Sequence, residues 1–255
     1  MIVFDRVSFS YGVKPVLKDV SFSIEGSERI AVLGESGEGK TTVLRLMLGL
    51  QKPDSGTILV DGEDITEKTE SELRQIRLKL GIVFQEGALF DSLDVKENVA
   101  FCLREYSRLS EDEIEQKVRG LLARVGLDHA MNLMPEELSG GMHRRVAIVR
   151  SLAASEPRMF LYDEPTSGLD PVNAALICQL IYDLSKDGRG FVIVTHKMVD
   201  ALKVATRFIF LKMGLVIFDG TREALISTSV PEVIAFLNDL NFDVNASVDG
   251  QKQEA

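Results

Sequence analysis

The sequence predicts an α/β protein with a helical lobe inserted into its core, and three observations carry that expectation. A glycine-rich loop, Gly34-Glu35-Ser36-Gly37-Glu38-Gly39-Lys40-Thr41, lies between a β-type run and a helix-period run. Two short continuous apolar runs, Met159-Phe160-Leu161-Tyr162 and Phe191-Val192-Ile193-Val194, suit strands buried on both faces of a parallel sheet. From about Val95 to Leu133 the β-type pattern gives way to charged, helix-forming sequence. A chain of 255 residues is long enough for one full α/β core plus an inserted lobe, and 45% hydrophobic residues exclude disorder and fibrous classes.

Taken in order, Ile2 to Ser10, Val16 to Ile24 and Arg29 to Leu33 read as strands, separated by turn signals at Tyr11-Gly12 and Glu25-Gly26-Ser27. The third runs into the glycine-rich loop, and Val43, Leu44, Leu46, Met47 and Leu50 then recur at helical spacing. Thr57 to Val60 and Leu80 to Phe84 are further strands. In the charged region Ser110-Glu111-Asp112-Glu113 fits a capping box, with Ser at the start and Glu three later. A helix is expected over His143 to Ala153 and another over Val172 to Lys186. Phe208 to Leu211 and Val216 to Phe218, joined by Lys212-Met213-Gly214, read as a closing hairpin. Thr228 to Leu237 has an apolar helical pattern that can pack on its own chain or on a neighbour, and Asn241 to Ala255 is polar and expected to fray.

The net charge of −10 makes general binding to nucleic acid unfavourable, because phosphate backbones repel an acidic surface. Cys102 and Cys178 lie in apolar surroundings without CxxC spacing, so both are expected as buried, reduced thiols and not as zinc or redox ligands. The start of the chain lacks the basic and apolar regions of a leader, and no apolar run approaches the roughly 18 residues of a spanning helix. These features predict a cytoplasmic protein that meets a membrane only through a partner.

The chemistry is concentrated at predicted strand ends. Gly34-x-x-x-x-Gly39-Lys40-Thr41 has the spacing of a phosphate-binding P-loop in the strand-to-helix context such a loop requires. Its glycines let successive N–H groups curl around phosphate oxygens, and the helix start adds the positive end of its dipole. Lys40 is placed to bridge the β- and γ-phosphates, and the Thr41 hydroxyl to ligate Mg²⁺. Glu38, an acid within the loop, has room to point outward and otherwise weakens nucleotide affinity. Asp163 and Glu164 close a strand with two carboxylates, the first suited to hold Mg²⁺ and the second to polarise an attacking water. Gln85 and His196 end two other strands, with Gln85 in reach of Mg²⁺ or water and His196 suited to sense the γ-phosphate. Ser139-Gly140-Gly141 opens a helix as a second anion-binding terminus, with Ser139 as its N-cap.

In chain order these segments resemble the ATP-binding subunits of ABC transporters, from about Val3 to Gly220. The resemblance implies a P-loop NTPase core of the ABC ATPase type with an N-terminal antiparallel β subdomain and an inserted α-helical subdomain. It divides the chain into an ATPase domain at 1–226, with the helical subdomain at about 95–155, and a C-terminal extension at 227–255. It makes Tyr11 the aromatic residue that stacks on adenine, and Gly34, Glu35, Ser36, Gly37, Glu38, Gly39, Lys40, Thr41 and Thr42 the Walker A loop. Gln85 becomes the Q-loop residue, Leu138 to Met142 the signature, Glu164 the catalytic glutamate, Ser167 to Asp170 the D-loop and His196 the switch histidine. ATP and Mg²⁺ are the implied ligands. Two copies are implied to face head to tail, each closing Ser139, Gly140 and Gly141 over the other's ATP. Met142 and Lys197 depart from the family's usual glutamine and acid, both outside direct phosphate contacts.

The segments Phe84 to Leu93, Glu97 to Phe101 and Pro135 to Met142 are similar to the ATPases of MCE-type (Mla-like) lipid transporters. That similarity implies a multispanning permease and an MCE-domain lipid-binding protein as partners, with Phe90 and Leu93 to Phe101 near the permease. It places the chain on the cytoplasmic face of a bacterial inner membrane. The alternatives are the ATPase of an importer for a polar solute such as an amino acid, and a non-transport ABC ATPase. A stand-alone small-molecule kinase leaves Ser139-Gly140-Gly141 without a purpose.

Overall fold

A computed structural model describes residues 2–154, 157–186 and 188–238. The chain opens with β1 (Ile2–Tyr11), β2 (Lys14–Ile24) and β3 (Arg29–Leu33), then α1 (Lys40–Met47), β4 (Ser55–Val60) and β5 (Glu63–Asp64). After α2 (Glu70–Arg77) and β6 (Leu80–Val83) come three helices, α3 (Val95–Tyr106), α4 (Glu111–Ala123) and α5 (Gly140–Ala154), and then β7 (Met159–Asp163). The remainder is α6 (Pro171–Ser185), β8 (Gly190–Thr195), α7 (Met198–Val204), β9 (Arg207–Lys212), β10 (Leu215–Thr221), α8 (Arg222–Ile226) and α9 (Pro231–Asn238). The polar stretch from Asn241 onward lies outside the described residues.

Two sheets organise these elements. The first is antiparallel, in the order β2-β1-β4-β5, and the Gly12 turn puts Tyr11 opposite Lys14. Along β1 Ile2 and Phe4, then Val7 and Phe9, are buried, the alternation shifting by one residue at left-handed Arg6, and Phe4 stacks on Phe22 of β2 with ring centroids 4.6 Å apart. The second sheet runs β10-β9-β3-β8-β7-β6, parallel except for the β10 edge. Its central strands β3, β7 and β8 are buried at every position but Arg29 and apolar through their middles, because both faces are covered. On one face Leu33, Phe160, Tyr162, Phe191, Ile193 and Phe210 join a core shared with the helices that follow β6. On the other, Val32, Met159, Leu161, Val192, Val194 and Leu211 join a core shared with α1 and the first sheet. Each such side chain removed from water contributes about 1.5–3 kcal/mol.

The helices begin where their capping chemistry places them. Ser110 accepts the Glu113 N–H while the Glu113 carboxylate accepts the Ser110 N–H at 2.7 Å, the box expected for α4. Thr69 and Glu72 form the same box at α2, a helix the periodicity did not disclose because only Leu73 and Ile76 of its eight residues are buried. α5 starts at Gly140, directly after the N-cap expected at Ser139 and three residues before the expected helical run from His143. The Ser139 hydroxyl accepts the Met142 N–H at 3.3 Å, and the absence of a side chain at Gly141 admits Asn173, whose Oδ1 would lie 2.4 Å from a Cβ there.

Two further expectations meet their outcome in the packing. Cys178 is buried, but Cys102 is only half-buried, because α3 turns it toward a cleft facing α2. α9 settles on its own chain: Val233 and Leu237 are buried, and Phe236 meets Phe210 edge to face with centroids 4.9 Å apart. Among the described residues no helix is long and apolar enough to cross a membrane.

Candidate active site: a phosphate cradle at the carboxyl edge of the parallel sheet

Parallel strands deliver their following loops to one edge, which is where α/β sheets bind ligands. Leu33 pairs with Thr195, and Asp163 with Val194, so the ends of β3, β8 and β7 are adjacent, while Val83 near the end of β6 pairs with Tyr162. Residues 34–41, 196, 163–164 and 85 therefore converge although they are far apart in sequence.

The loop after β3 is built for close approach. Gly34, Gly37 and Gly39 all have φ in the left-handed region, and a Cβ at Gly34 would stand 2.5 Å from the Leu211 carbonyl oxygen. Inside this curl Lys40 is only 6% exposed, and its ammonium donates to the carbonyls of Gly34 and Glu35 at 2.9 Å each and lies 3.7 Å from Glu164 Oε1. Burial lowers the Lys40 pKa below the ordinary lysine value, with the Glu164 carboxylate opposing that shift. Thr41 Oγ1 donates to Asp163 Oδ1 at 2.9 Å. Burial raises the Asp163 pKa, opposed by that Thr41 bond.

Glu164 is fixed from several sides. Its backbone is left-handed at φ 44, and its N–H donates to the Val194 carbonyl at 2.9 Å. Oε1 accepts the His196 N–H at 3.1 Å and lies 2.9 Å from His196 Nδ1, while Oε2 accepts from Thr195 Oγ1 at 3.1 Å. The carboxylate is thus aimed across the sheet edge at Lys40.

A cleft of about 690 Å³ opens above this cluster, bounded by Tyr11, residues 36–42, Gln85 and Glu164. Tyr11 is half-exposed at its mouth, held edge-on by Phe9 and by Arg45, which donates to its hydroxyl at 3.2 Å. Gly34 and Glu35 lie behind the cleft, Asp163 reaches it through Thr41, and His196 through Glu164. Ser139, Gly140 and Gly141 do not line it; Gly140 faces Leu169, and Gly141 packs against Asn173 in the first turn of α6. The Glu38 carboxylate points away from the loop interior and accepts the Met213 N–H.

Several contributors escaped the sequence. Thr195 and Arg45 act on Glu164 and Tyr11 from other elements, and Arg144 of α5 donates to the Phe84 carbonyl at 2.9 Å beside Gln85. The one signal for Arg144 was a large cation interrupting an apolar helix face, and burial lowers its pKa. Nothing local marks Thr195 or Arg45, since their partners are set by strand pairing and helix docking.

A P-loop at a parallel sheet edge, a carboxylate pair on the next strand but one, and a separate Ser-Gly-Gly helix start together define a P-loop nucleotide hydrolase. Within that class the family model described as ABC transporter matches residues 17–167, and the chain belongs to that family as the ATP-binding, ATP-hydrolysing subunit of a transporter. It is 38% identical over 233 residues to the intermembrane phospholipid transport system ATP-binding protein MlaF of Escherichia coli (strain K12), covering 91% of this chain and 86% of that one. It is 41% identical over 226 residues to the glutamine transport ATP-binding protein GlnQ of the same organism, covering 89% and 93%. Among solved structures, the ATP-binding cassette MJ0796, a dimer in a post-hydrolysis state bound to ADP and Pi, aligns with a TM-score of 0.80 at 33% identity, covering 87% of this chain and 98% of that one. The chain spans 64–70% of the length of several longer relatives that are 39–40% identical to it. Its likeness to the ATPases of Mla-like phospholipid transport systems extends over most of its length.

Proposed function

We propose that this subunit powers phospholipid movement through a multispanning permease assisted by an MCE-domain lipid-binding protein, acting at the cytoplasmic face of a bacterial inner membrane. The observation that carries the cargo assignment is the similarity to MlaF across nine-tenths of the chain. The similarity to GlnQ supports the second reading, a polar-solute importer with the same motor.

The residues divide the work. P-loop N–H groups and the start of α1 receive the phosphates of ATP, and Tyr11 offers its ring to the adenine. Lys40, now satisfied by two carbonyls and Glu164, transfers its ammonium to the phosphate oxygens, where positive charge matches the charge that develops during transfer. Thr41 and Asp163 bring two hard oxygens together, and with Gln85 they suit Mg²⁺, which when bound neutralises phosphate charge. Glu164, held by His196 and Thr195, orients the attacking water and accepts its proton. Ser139, Gly140 and Gly141 lie off their own cleft, which supports their use in closing the cleft of a second copy, head to tail. A closed dimer that prefers ATP and an open one that does not then convert hydrolysis into a push on the permease.

The test is purification of tagged Glu164→Gln protein from native membranes with ATP present, followed by mass spectrometry of copurifying proteins and lipids. Recovery of a multispanning permease, an MCE-domain protein and enriched phospholipid is the expected result. A polar-solute permease without lipid overturns the cargo assignment and leaves the motor intact.

A further inference from the structure

The turn between β9 and β10 forms part of the cleft wall, and none of the chemistry above uses it. Met213 and Gly214 line the cleft, and Met213 is 70% exposed in a left-handed conformation at φ 52. The turn is packed against the P-loop and β2 at backbone distance. A Cβ at Gly34 would meet the Leu211 carbonyl oxygen at 2.5 Å, one at Gly214 would meet the Val16 carbonyl oxygen at 2.6 Å, and the Lys18 N–H donates to the Gly214 carbonyl at 2.8 Å. Both acids of the P-loop turn toward this wall. Glu35 Oε1 accepts from the Lys212 ammonium at 2.6 Å, Glu38 accepts the Met213 N–H, and the other Glu38 oxygen lies 3.6 Å from Lys212 Nζ.

A phosphate cradle works by offering N–H groups and positive charge, so two carboxylates within it oppose its task. Glu38 cannot simply rotate into solvent, because its side chain is 16% exposed and lodged against the turn. One cation serves both acids.

We propose that Lys212 is a positioning residue of the nucleotide site: it draws Glu35 and Glu38 against the β9–β10 turn, neutralises them, and so keeps the P-loop attractive to a triphosphate. The proposal rests on the reading of this cleft as an ATP site. Without Lys212 the Glu35 carboxylate loses its paired cation and Glu38 keeps only the weaker attraction of Lys40, which leaves added negative charge within the roughly 10 Å over which charges interact at ordinary salt. The penalty grows with the number of phosphate charges, so it falls harder on ATP than on ADP.

The experiment measures ATP and ADP dissociation constants for the full chain by calorimetry, at low and high salt, alongside thermal stability. The variants are Lys212→Met, Lys212→Arg and Lys212→Met combined with Glu35→Gln and Glu38→Gln. Lys212→Met is expected to weaken ATP binding about tenfold and ADP about threefold, with the gap between them narrowing at high salt. Lys212→Arg, which keeps the charge, and the triple variant, which removes the acids, are expected to recover most of the lost ATP affinity. Equal weakening of both nucleotides without recovery in the triple variant, or no weakening at all, overturns the proposal. Failure of the unsubstituted protein to bind ATP overturns the nucleotide reading of the cleft and this proposal together, and is distinguished because it precedes any substitution.

Discussion

Asp163 shows how a single side chain is placed against its own preference. Burial favours its neutral form and raises its pKa, Glu164 adds to that shift, and Thr41, Arg45 and Lys40 oppose it. A carboxyl whose folded pKa lies above its unfolded value stabilises the fold fully below the unfolded value of about 4, and that contribution is lost as pH rises through the folded one. At neutral pH the ionised Asp163 is therefore a cost accepted for ligand binding. Asp163→Asn removes the charge while keeping an acceptor for Thr41. Thermal scans of nucleotide-free protein are expected to show the variant melting higher at pH 8, with the difference shrinking toward pH 5. Its ATP turnover is expected to fall by about 100-fold or more, the scale associated with losing a transition-state charge partner. A lower melting temperature at pH 8 would contradict the burial argument.

Among the elements, α3 has a second task besides packing. Asn98, fully buried near its start, accepts the Phe90 N–H at 2.8 Å and donates to the Leu93 carbonyl at 2.8 Å and the Phe90 carbonyl at 3.1 Å. The loop between Gln85 and α3 is thereby tied to the helix, while Arg150 of α5 donates to Ala88 and stacks over the half-exposed Phe90. Each buried bond contributes about 1 kcal/mol, and stranding its partner groups costs more. Asn98→Ala is expected to destabilise the protein by about 3 kcal/mol in urea titrations. Amide hydrogen exchange should rise over residues 86–93, a segment that holds Phe90 and Leu93 of the region whose similarity suggested contact with a permease. Unchanged exchange there would mean that α5 alone secures the loop.

For the whole molecule, the central question is how a chain uses two glycine-rich helix starts, at α1 and α5, that do not meet. α1 serves the cleft, while the start of α5 is packed beside α6. If a second copy supplies the missing wall, Ser139→Glu places a negative charge against the incoming phosphate. Analytical ultracentrifugation of Ser139→Glu in the Glu164→Gln background is then expected to show no ATP-driven dimer, whereas Glu164→Gln alone dimerises with ATP. Nucleotide loading of the P-loop, followed by fluorescence, separates failed dimerisation from failed binding. Dimers of both proteins would remove Ser139 from the shared interface.

By itself the sequence determined the strand-loop-helix setting of Gly34 to Thr41, the carboxylate pair at Asp163 and Glu164, and the central strands, whose unbroken apolar runs have one stable use in a chain this long. Those features depend on local spacing and on burial of both sheet faces. The capping box at Ser110 was equally legible because its two bonds join residues three apart. Only the tertiary structure decided which side chains face one another across the sheet edge: Thr195 and His196 on Glu164, Arg45 on Tyr11, Lys212 and Met213 on the acids of the P-loop. Their separations in sequence run from 31 to 177 residues. It also seated α9 on Phe210, where the apolar pattern alone allowed a neighbour as well. The physical reason is the same in each case: periodicity reports which face of an element is buried, but strand order and register choose the partner.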